Sequence, residues 1–387
     1  MAGDEIGLRK DAVARVLSGE PAGKVAVELG RTERWVRKWV GRYDPADDGW
    51  AEERSRAPHV QPRRTPAGVE RLVLEVRDRL MADPWAQVGA VAIAWELEKL
   101  GITPPEVWTI DRILRRAEVP RRRARALYVP KGTPYPVHSA LPAPGAVHQA
   151  DLVGPRHLEG GIPFYALNAV DVGRRRSGIE ILPTKEEHHV ALGLVRLWAR
   201  MGIPKLAQFD NGQTIAGRGR SLALAVRLCL HLGVRARFIP FGEPWRNAVV
   251  EHFNDVFDKR FFRTERFESI DTLMARAAEF ETFHNARHRY SALKGATPDE
   301  WGHRLGFVPR RLDPTLEPPT TVPRRGRVEF VRLIRSDRLA RILGAKIVLP
   351  TELVHRYVTA TLHVRDHRLV IEDREGFHLE VPFPLNR

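Results

Sequence analysis

Residues 147–153, VHQADLV, carry an acidic residue, Asp151, inside a short run with strand character. The runs IPFYALNAVDV and SGIEILP follow, separated by turns rich in Gly, Pro and Arg. Apolar or alternating runs between turn residues predict an antiparallel meander of three strands. Helical and strand segments alternate after it, which predicts a mixed α/β sheet domain with helices on its faces over residues 144–305.

Two further acidic residues stand at comparable places in this region. Asp210 ends a strand before the turn NGQT, and Glu251 lies within the helical run NAVVEHFND. Carboxylates inside apolar elements need either an arginine partner or a bound cation. Hard oxygen ligands suit Mg²⁺ or Mn²⁺. If the three converge, Asp151 would bridge two ions about 3.5–4 Å apart, with Asp210 on one ion and Glu251 on the other, an arrangement suited to phosphoryl transfer.

The composition favours a nucleic-acid partner. The chain has 387 residues and a formal net charge of +15, so we expect two to four domains and a polyanionic partner; a solvated surface or a membrane-binding face is the alternative. No stretch reaches the roughly 20 apolar residues of a membrane span, and the first residues lack the apolar core of a signal peptide. The expected protein is soluble, cytoplasmic and nucleoid-associated.

The chain has a single cysteine, Cys229, which excludes disulfides within the chain and cysteine-rich zinc sites. Because Cys229 lies in an apolar helical run, a core position is predicted for it.

Upstream, residues 8–43 contain three short helical segments broken by glycine-containing turns. This is the layout of a helix-turn-helix DNA-binding domain, predicted over residues 1–46. In the third segment the apolar side consists of Trp35, Val36, Trp39 and Val40. The basic side, predicted to contact DNA in the major groove, consists of Arg34, Arg37, Lys38 and Arg42. An ordinary small helical bundle with solvated arginines is the alternative.

The same three-helix layout is predicted again over residues 65–120, after a polar linker at 47–64. The apolar side of its third helix is predicted to consist of Trp108, Ile110, Ile113 and Leu114. The side predicted to contact DNA consists of Arg112, Arg115 and Arg116. A basic, proline-rich linker at 121–143 follows; with Arg121, Arg122 and Arg123 it either tracks a phosphate backbone or is a solvated tether.

The C-terminal region has strand character. A linker rich in Pro and Arg is predicted over residues 306–326, and a separate domain over 327–387. Five short strands are expected there, at 328–334, 346–349, 357–364, 368–372 and 377–381. Five strands are enough for a small β-barrel.

Four stretches of the chain resemble the DDE integrase and transposase superfamily, specifically bacterial insertion-sequence transposases related to retroviral integrases. They are HQADLVGP, FDNGQT, PWRNAVVEHFND and FHNARHRYSALKGATPDEW. The matching positions are Asp151 with Gln149, Asp210 with Asn211 and Gly212, Glu251 with Asn247 and Asn254, and Asn285, His288 and 292–298. The resemblance covers the whole chain in domain order. It implies an RNase H-like core in which Asp151, Asp210 and Glu251 are catalytic and hold two Mg²⁺ or Mn²⁺ ions.

Two departures from the family pattern concern the region around Glu251. Forty residues lie between Asp210 and Glu251, more than is usual, and we expect the loop AGRGRS or a longer following helix to absorb the surplus. His252 and Ala248 stand where the family often has Arg and Gly. The residues predicted to contact DNA near the site are Trp245, Asn247, Lys259 and Arg260. Loop packing is the alternative for Trp245, and a solvated face for the two basic residues.

The sequence thus predicts a multidomain α/β protein with two N-terminal helix-turn-helix units, an RNase H-like mixed-sheet catalytic core and a C-terminal small β-barrel. The predicted function is a transposase that binds terminal inverted repeats, nicks each end and joins the 3′ ends to target DNA, acting as a dimer or tetramer on DNA. Two alternatives remain: a catalytically silent DNA-binding protein such as a domesticated transposase, and an RNase H-like nuclease that cuts without joining. The P-loop GxxxxGK[ST] does not occur, so ATP use is not expected from this chain, and a helper ATPase is left open.

Overall fold

The structure is a computed structural model that describes residues 2–53, 65–117, 134–136 and 141–386, with side chains from residue 5 onward. Its contacts divide the chain into two compact units, Met1–Thr65 and Pro66–Arg387. The predicted DNA contacts Arg121, Arg122 and Arg123 lie outside the described residues. Across the described ranges, no helix is long and apolar enough to cross a membrane.

The first unit consists of three helices. They are α1 (Ala2–Leu17), α2 (Ala22–Glu28) and α3 (Glu33–Val40). The Thr32 hydroxyl caps α3 by accepting a hydrogen bond from the Trp35 N–H. Val25 and Val36 are buried between the helices, and Trp39 is buried beneath the Arg9 guanidinium. The apolar spacing in the sequence therefore gives the three-helix layout that it predicts.

The second unit begins with another three-helix bundle. Its helices are α4 (Ala67–Met81), α5 (Ala90–Lys99) and α6 (Val107–Arg116). Ile93, Ile110 and Ile113 lie in its core, but Trp108 does not. Trp108 is 61% exposed, and the Arg112 guanidinium lies 4.7 Å from its ring centre. The predicted apolar side of α6 is wrong at this one residue.

The loop between α4 and α5 fixes this bundle to the rest of the second unit. The Trp85 ring packs edge-on against Phe280 and Phe283, and its indole N–H donates to Glu265. The Gln87 side chain forms two hydrogen bonds with the backbone of Arg289. The second bundle and the α/β region therefore pack as one body.

The α/β region is built on a mixed sheet. Its first strands are β1 (Val147–His157), β2 (Pro163–Asp171), β3 (Ser177–Leu182), β4 (Leu206–Phe209), the short hairpin β5 (Gly217–Arg218) and β6 (Ser221–Leu222), and β7 (Arg235–Phe238). Strands β1 to β3 form the predicted antiparallel meander, while β4 lies parallel to β1 and β7 parallel to β4. The helices are α7 (Glu187–Met201), α8 (Gln213–Ala216), α9 (Leu224–His231), α10 (Ala248–Phe257), α11 (Ile270–Arg287) and α12 (Pro298–Arg304). Cys229 is buried in α9, as predicted.

The C-terminal strands extend this sheet. They are β8 (Arg327–Leu333), β9 (Leu339–Ile342), β10 (Ala345–Val348), β11 (Tyr357–His363), β12 (Arg368–Glu372) and β13 (His378–Pro382). Strand β8 pairs in parallel with β7 on one side and antiparallel with β11 on the other. The nine-stranded sheet has the order β13-β12-β11-β8-β7-β4-β1-β2-β3, and β9 and β10 form a separate hairpin. The structure therefore differs from the predicted separate barrel, because β8 joins the core sheet and the sheet stays open.

Residues 306–326, predicted as a linker, lie against the core. The Arg310 carbonyl accepts a hydrogen bond from the Ile203 N–H. Leu312, Leu316 and Val322 pack against the main hydrophobic cluster. Apolar side chains spaced between the prolines bind this segment to the surface that it crosses, so it is not a free tether.

Candidate catalytic site

Asp151 lies in β1, opposite Asn168 of β2. One carboxylate oxygen accepts a hydrogen bond from the Leu152 N–H (3.0 Å), and the other accepts one from the Asn254 amide (2.7 Å). Burial, together with the negative charges of Asp210 and Glu251, raises the pKa of Asp151 to about 6. The three predicted acids therefore act on one another at one place in the fold.

Asp210 follows the last residue of β4 and begins a tight turn. Its Oδ1 accepts a hydrogen bond from the Gly212 N–H (3.0 Å). A Cβ at position 212 would lie 3.1 Å from the same oxygen, so glycine lets the turn close on the carboxylate. Between them, the Asn211 amide donates to the Ile239 carbonyl (2.6 Å) after β7. The turn is thus fixed to the neighbouring strand end.

Glu251 lies in the first turn of α10, and side chains of the sheet fix the start of that helix. The side-chain oxygen Oε1 of Gln149 accepts hydrogen bonds from the backbone N–H groups of Val249 (3.0 Å) and Val250 (3.2 Å). These N–H groups have no acceptor within the helix, so a β1 residue supplies the cap. The Gln208 amide donates to the Arg246 carbonyl (3.0 Å). The helix that carries Glu251 is therefore tied to β1 and β4.

Asn254 links α10 directly to Asp151. Its amide donates to Asp151, and its carbonyl oxygen accepts a hydrogen bond (2.8 Å) from the fully buried Asn168. Asn254 lies three residues after Glu251, and residues with this spacing share one helix face. The hydrogen bond therefore turns the face that bears Glu251 towards β1.

The charges of the three carboxyl groups are uncompensated among the residues that the structure describes. In the described part of the structure, none of them forms an ion pair with Arg, Lys or His. Burial raises the pKa of Glu251, and the charges of Asp210 and Asp255 add to the effect. Within the same described ranges, no three His, Cys, Asp or Glu side chains already stand in a metal-coordinating group. The electrostatic interaction and the lack of a coordinating group are compatible. Charge repulsion acts over longer distances than the about 2.0–2.6 Å of a metal–oxygen bond, so the acids can repel one another without standing at coordination distance.

The basic residues predicted to contact DNA lie on the outer faces of α3 and α6. Arg34 and Arg115 are exposed. Three of the others form ion pairs: Arg37 with Glu33, Lys38 with Glu53 and Arg116 with Glu70. The guanidinium groups of Arg42 and Arg112 lie over the rings of Trp39 and Trp108. Ion pairs of this exposed kind contribute little free energy. Arg37, Lys38 and Arg116 are therefore held only weakly by their carboxylate partners.

The predicted DNA contacts near Glu251 divide into two groups. Asn247 is 2% exposed, and its amide donates to the Ala150 carbonyl (3.3 Å), so its side chain faces the interior of this fold; a DNA contact by Asn247 stays a prediction. Trp245 is 46% exposed on the loop before α10. Lys259, which pairs with Asp255, and Arg260 line a cleft of about 1010 Å³ between α10 and the second three-helix bundle.

Residues that the sequence analysis missed support the loop before α10 and the turn after Asp210. The Tyr357 hydroxyl of β11 donates to the Glu243 carboxylate (2.8 Å) and accepts from the Arg246 guanidinium (3.0 Å). Asn211 accepts a hydrogen bond (2.9 Å) from Arg332 of β8. The only sequence signal was a charged residue among apolar neighbours in the strand VEFVRLI, which is equally typical of an exposed strand position.

The chain matches one family model and aligns with solved structures at low sequence identity. Residues 232–298 match the family model for the integrase core domain. The HTLV-2 integrase catalytic core domain in complex with magnesium aligns at 12% identity, covering 42% of this chain and 100% of that chain, with a TM-score of 0.34. The simian T-cell lymphotropic virus intasome aligns at 14% identity over 77% of this chain and 93% of that chain (TM-score 0.39), and the BIV integrase core at 18% over 42% and 96% (TM-score 0.33). No curated protein matches the chain significantly.

Proposed function

We propose, from the premise that its core has a DDE integrase/transposase-superfamily fold, that this chain is a DNA transposase. It would bind transposon-end repeats, cut them and join the 3′ ends to target DNA. One observation carries the proposal: the charges of Asp210 and Glu251 raise the pKa of Asp151, the charge of Asp210 raises that of Glu251, and the three acids lack a cationic partner among the described residues. Such a group is unfavourable unless a cation binds to it.

The donor set suits two Mg²⁺ or Mn²⁺ ions. Asp151, Asp210 and Glu251 offer only carboxylate oxygens, the ligands that these hard cations prefer. When bound, the two ions would activate the attacking oxygen and stabilise the leaving oxygen of the phosphodiester. The chain itself orients the carboxylates: Asn254 holds Asp151, the Gly212 N–H holds Asp210, and Gln149 fixes the start of the helix that bears Glu251.

DNA binding is proposed for the basic faces of α3 and α6 and for the cleft beside α10. The net charge of +15 supplies attraction to the phosphate backbone. Lys259 and Arg260 lie just over two turns beyond Glu251, where they can hold the strand that is being cut. Because two ends must be held together while each is cut, we propose a dimer or tetramer on DNA.

The test is incubation of the purified protein with labelled candidate ends and a plasmid. We expect joined products with Mg²⁺ and none with EDTA, since the carboxylates alone cannot stabilise the charge that develops at the phosphate. Bound but unaltered ends would favour the catalytically silent DNA-binding protein. Cut ends that are never joined would favour a nuclease.

The raised pKa of Asp151 predicts a pH dependence of metal binding. A cation binds the ionised carboxylate, so protons compete with it once the pH falls below about 6. For one proton, the affinity for Mn²⁺ should fall about tenfold between pH 7 and pH 5. Titration of Mn²⁺ followed by electron paramagnetic resonance measures this directly, without turnover.

Asp151→Asn is the matched control for that titration. It keeps the size of the side chain but removes the titrating group, so its weak affinity for Mn²⁺ should vary much less with pH. Equal affinity of the unaltered protein at pH 5 and pH 7 would remove Asp151 from the cation site.

A further inference from the structure

Arg332 in β8 is a buried cation without a carboxylate partner among the residues that the structure describes. Its side chain is 4% exposed, and burial lowers its pKa to about 9. A buried charge is unfavourable unless hydrogen bonds satisfy it. The contacts of its guanidinium therefore indicate why an arginine is needed there.

The donors of Arg332 all reach oxygen atoms that belong to the core. Its Nε donates to the Arg341 carbonyl (2.9 Å), and Nη1 donates to the carbonyls of Val331 (2.8 Å) and Ile239 (3.2 Å). Its Nη2 donates to the Asn211 side-chain oxygen (2.9 Å). Since the Asn211 amide donates to the same Ile239 carbonyl, these three residues form a closed ring of hydrogen bonds.

This ring adjoins Asp210 on both sides. Asn211 is the next residue in the chain, and the Ile239 N–H donates to the carbonyl of Phe209 (3.1 Å), the residue before Asp210. With Phe209 and Asn211 both held, little rotation of the Asp210 backbone is left. The direction of its carboxylate therefore depends on a residue of the C-terminal strands.

The same strands hold the chain that leads to Glu251. The Phe241 ring lies 4.5 Å from the Arg332 guanidinium. Tyr357, one position before the β11 residue that pairs with Arg332, forms hydrogen bonds with Glu243 and Arg246 immediately before α10. Strands β8 and β11 thus contact both segments that carry the second and third acids.

We propose that Arg332 is a positioning residue of the active site, which sets the direction of the Asp210 carboxylate through Asn211. This inference rests on the proposed function, because it takes Asp210 as a cation ligand. Arg332 itself contacts no reacting group. Lysine cannot replace it, because a single ammonium group cannot reach all the oxygens that the three nitrogens of the planar guanidinium reach in different directions.

The test compares Arg332→Lys and Asn211→Ala in the full chain, with Arg341→Met as the matched control. Arg341 is an exposed residue of the adjacent hairpin whose carbonyl, which Arg332 uses, is retained in the variant. We expect both test variants to bind Mn²⁺ about 10–100-fold more weakly and to cut labelled ends correspondingly more slowly. Binding of end DNA and the properties of the control should stay within about twofold of the unaltered protein.

Combining the two test substitutions separates positioning from general support. If Arg332 acts through Asn211, the double variant should bind Mn²⁺ no more weakly than the weaker-binding of the two single variants, because both substitutions break the same chain of contacts. Additive losses would overturn the proposal. A lower melting temperature with unchanged affinity for Mn²⁺ would overturn it too, and if Arg332→Lys fails to fold, Asn211→Ala gives the same reading.

The outcomes also separate this inference from the proposed function. If the unaltered protein binds Mn²⁺ in a manner that needs Arg332 but cuts no DNA, the proposed function fails and the positioning role stands. If it cuts DNA and the variants bind Mn²⁺ and cut equally well, the positioning role fails alone. An unaltered protein that binds no Mn²⁺ overturns both.

Discussion

Asp210→Asn is expected to abolish strand cutting and joining while binding of end DNA stays within about twofold of the unaltered protein. The amide keeps an oxygen that can accept the Gly212 N–H, so the turn after β4 should keep its shape. What is lost is one negative charge among three carboxylates. A bound cation contributes several kcal/mol of transition-state stabilisation, and about 1.4 kcal/mol is a factor of ten in rate, so we expect a loss of about 10³-fold or more.

The measurement is a strand-transfer assay with labelled ends, beside a gel-shift titration of the same ends. Asp299→Asn is the matched control, because Asp299 is exposed on α12 and pairs with Arg176 away from the three acids. Its rate should equal that of the unaltered protein. Joining by Asp210→Asn at a comparable rate would remove Asp210 from the cation site.

The sequence singles out the three acids more readily than the residues that support them. Asp151 interrupts an apolar strand and Asp210 directly follows one, and both features can be read from the order of residues alone. Asn254 could be named only through the family pattern, whereas its bond to Asp151 depends on how α10 lies across the sheet. Arg332 was missed because an arginine in a strand looks the same whether it faces water or a buried turn.

The C-terminal strands reveal a second limit of sequence reasoning. Alternation predicts that a segment is a strand, but it does not say which strand it pairs with. Strand β8 pairs with β7 across 88 intervening positions (239–326), a connection that no local pattern encodes. Five short strands after a proline-rich segment therefore suggested a barrel of their own, and the structure has an extension of the core sheet instead.

That extension predicts the second large effect, which concerns stability. Deletion of residues 327–387 is expected to leave the rest of the second unit unfolded. It would expose one side of β7 and remove many buried side chains from the main hydrophobic cluster, among them Val328, Phe330, Val358, Leu362 and Ile371. Each buried side chain of this size contributes about 1.5–3 kcal/mol, and the net stability of a domain is only about 5–15 kcal/mol.

Phe330→Ala tests the same claim without a truncation. Phe209, Phe238 and Phe330 stand side by side on β4, β7 and β8, with ring centres 5.9 and 5.2 Å apart. Removing the last ring leaves a cavity in this row, so the free energy of unfolding should fall by about 3–5 kcal/mol. Phe209 belongs to the core strand β4 and directly precedes Asp210. We therefore expect the core, and not only the C-terminal strands, to lose stability.

Chemical denaturation followed by circular dichroism and by tryptophan fluorescence measures that loss. All nine tryptophans precede residue 327, and Trp198 among them is buried in α7, so their fluorescence reports on the chain before the C-terminal strands, while circular dichroism reports on the whole chain. Val348→Ala is the control, since Val348 is 62% exposed on the β10 hairpin and should change stability by less than about 0.5 kcal/mol. If β8 belongs to the core sheet, Phe330→Ala lowers the denaturant concentration at the midpoint of the fluorescence transition. If the C-terminal strands fold as a barrel of their own, that transition stays where it is and a separate, weaker one appears.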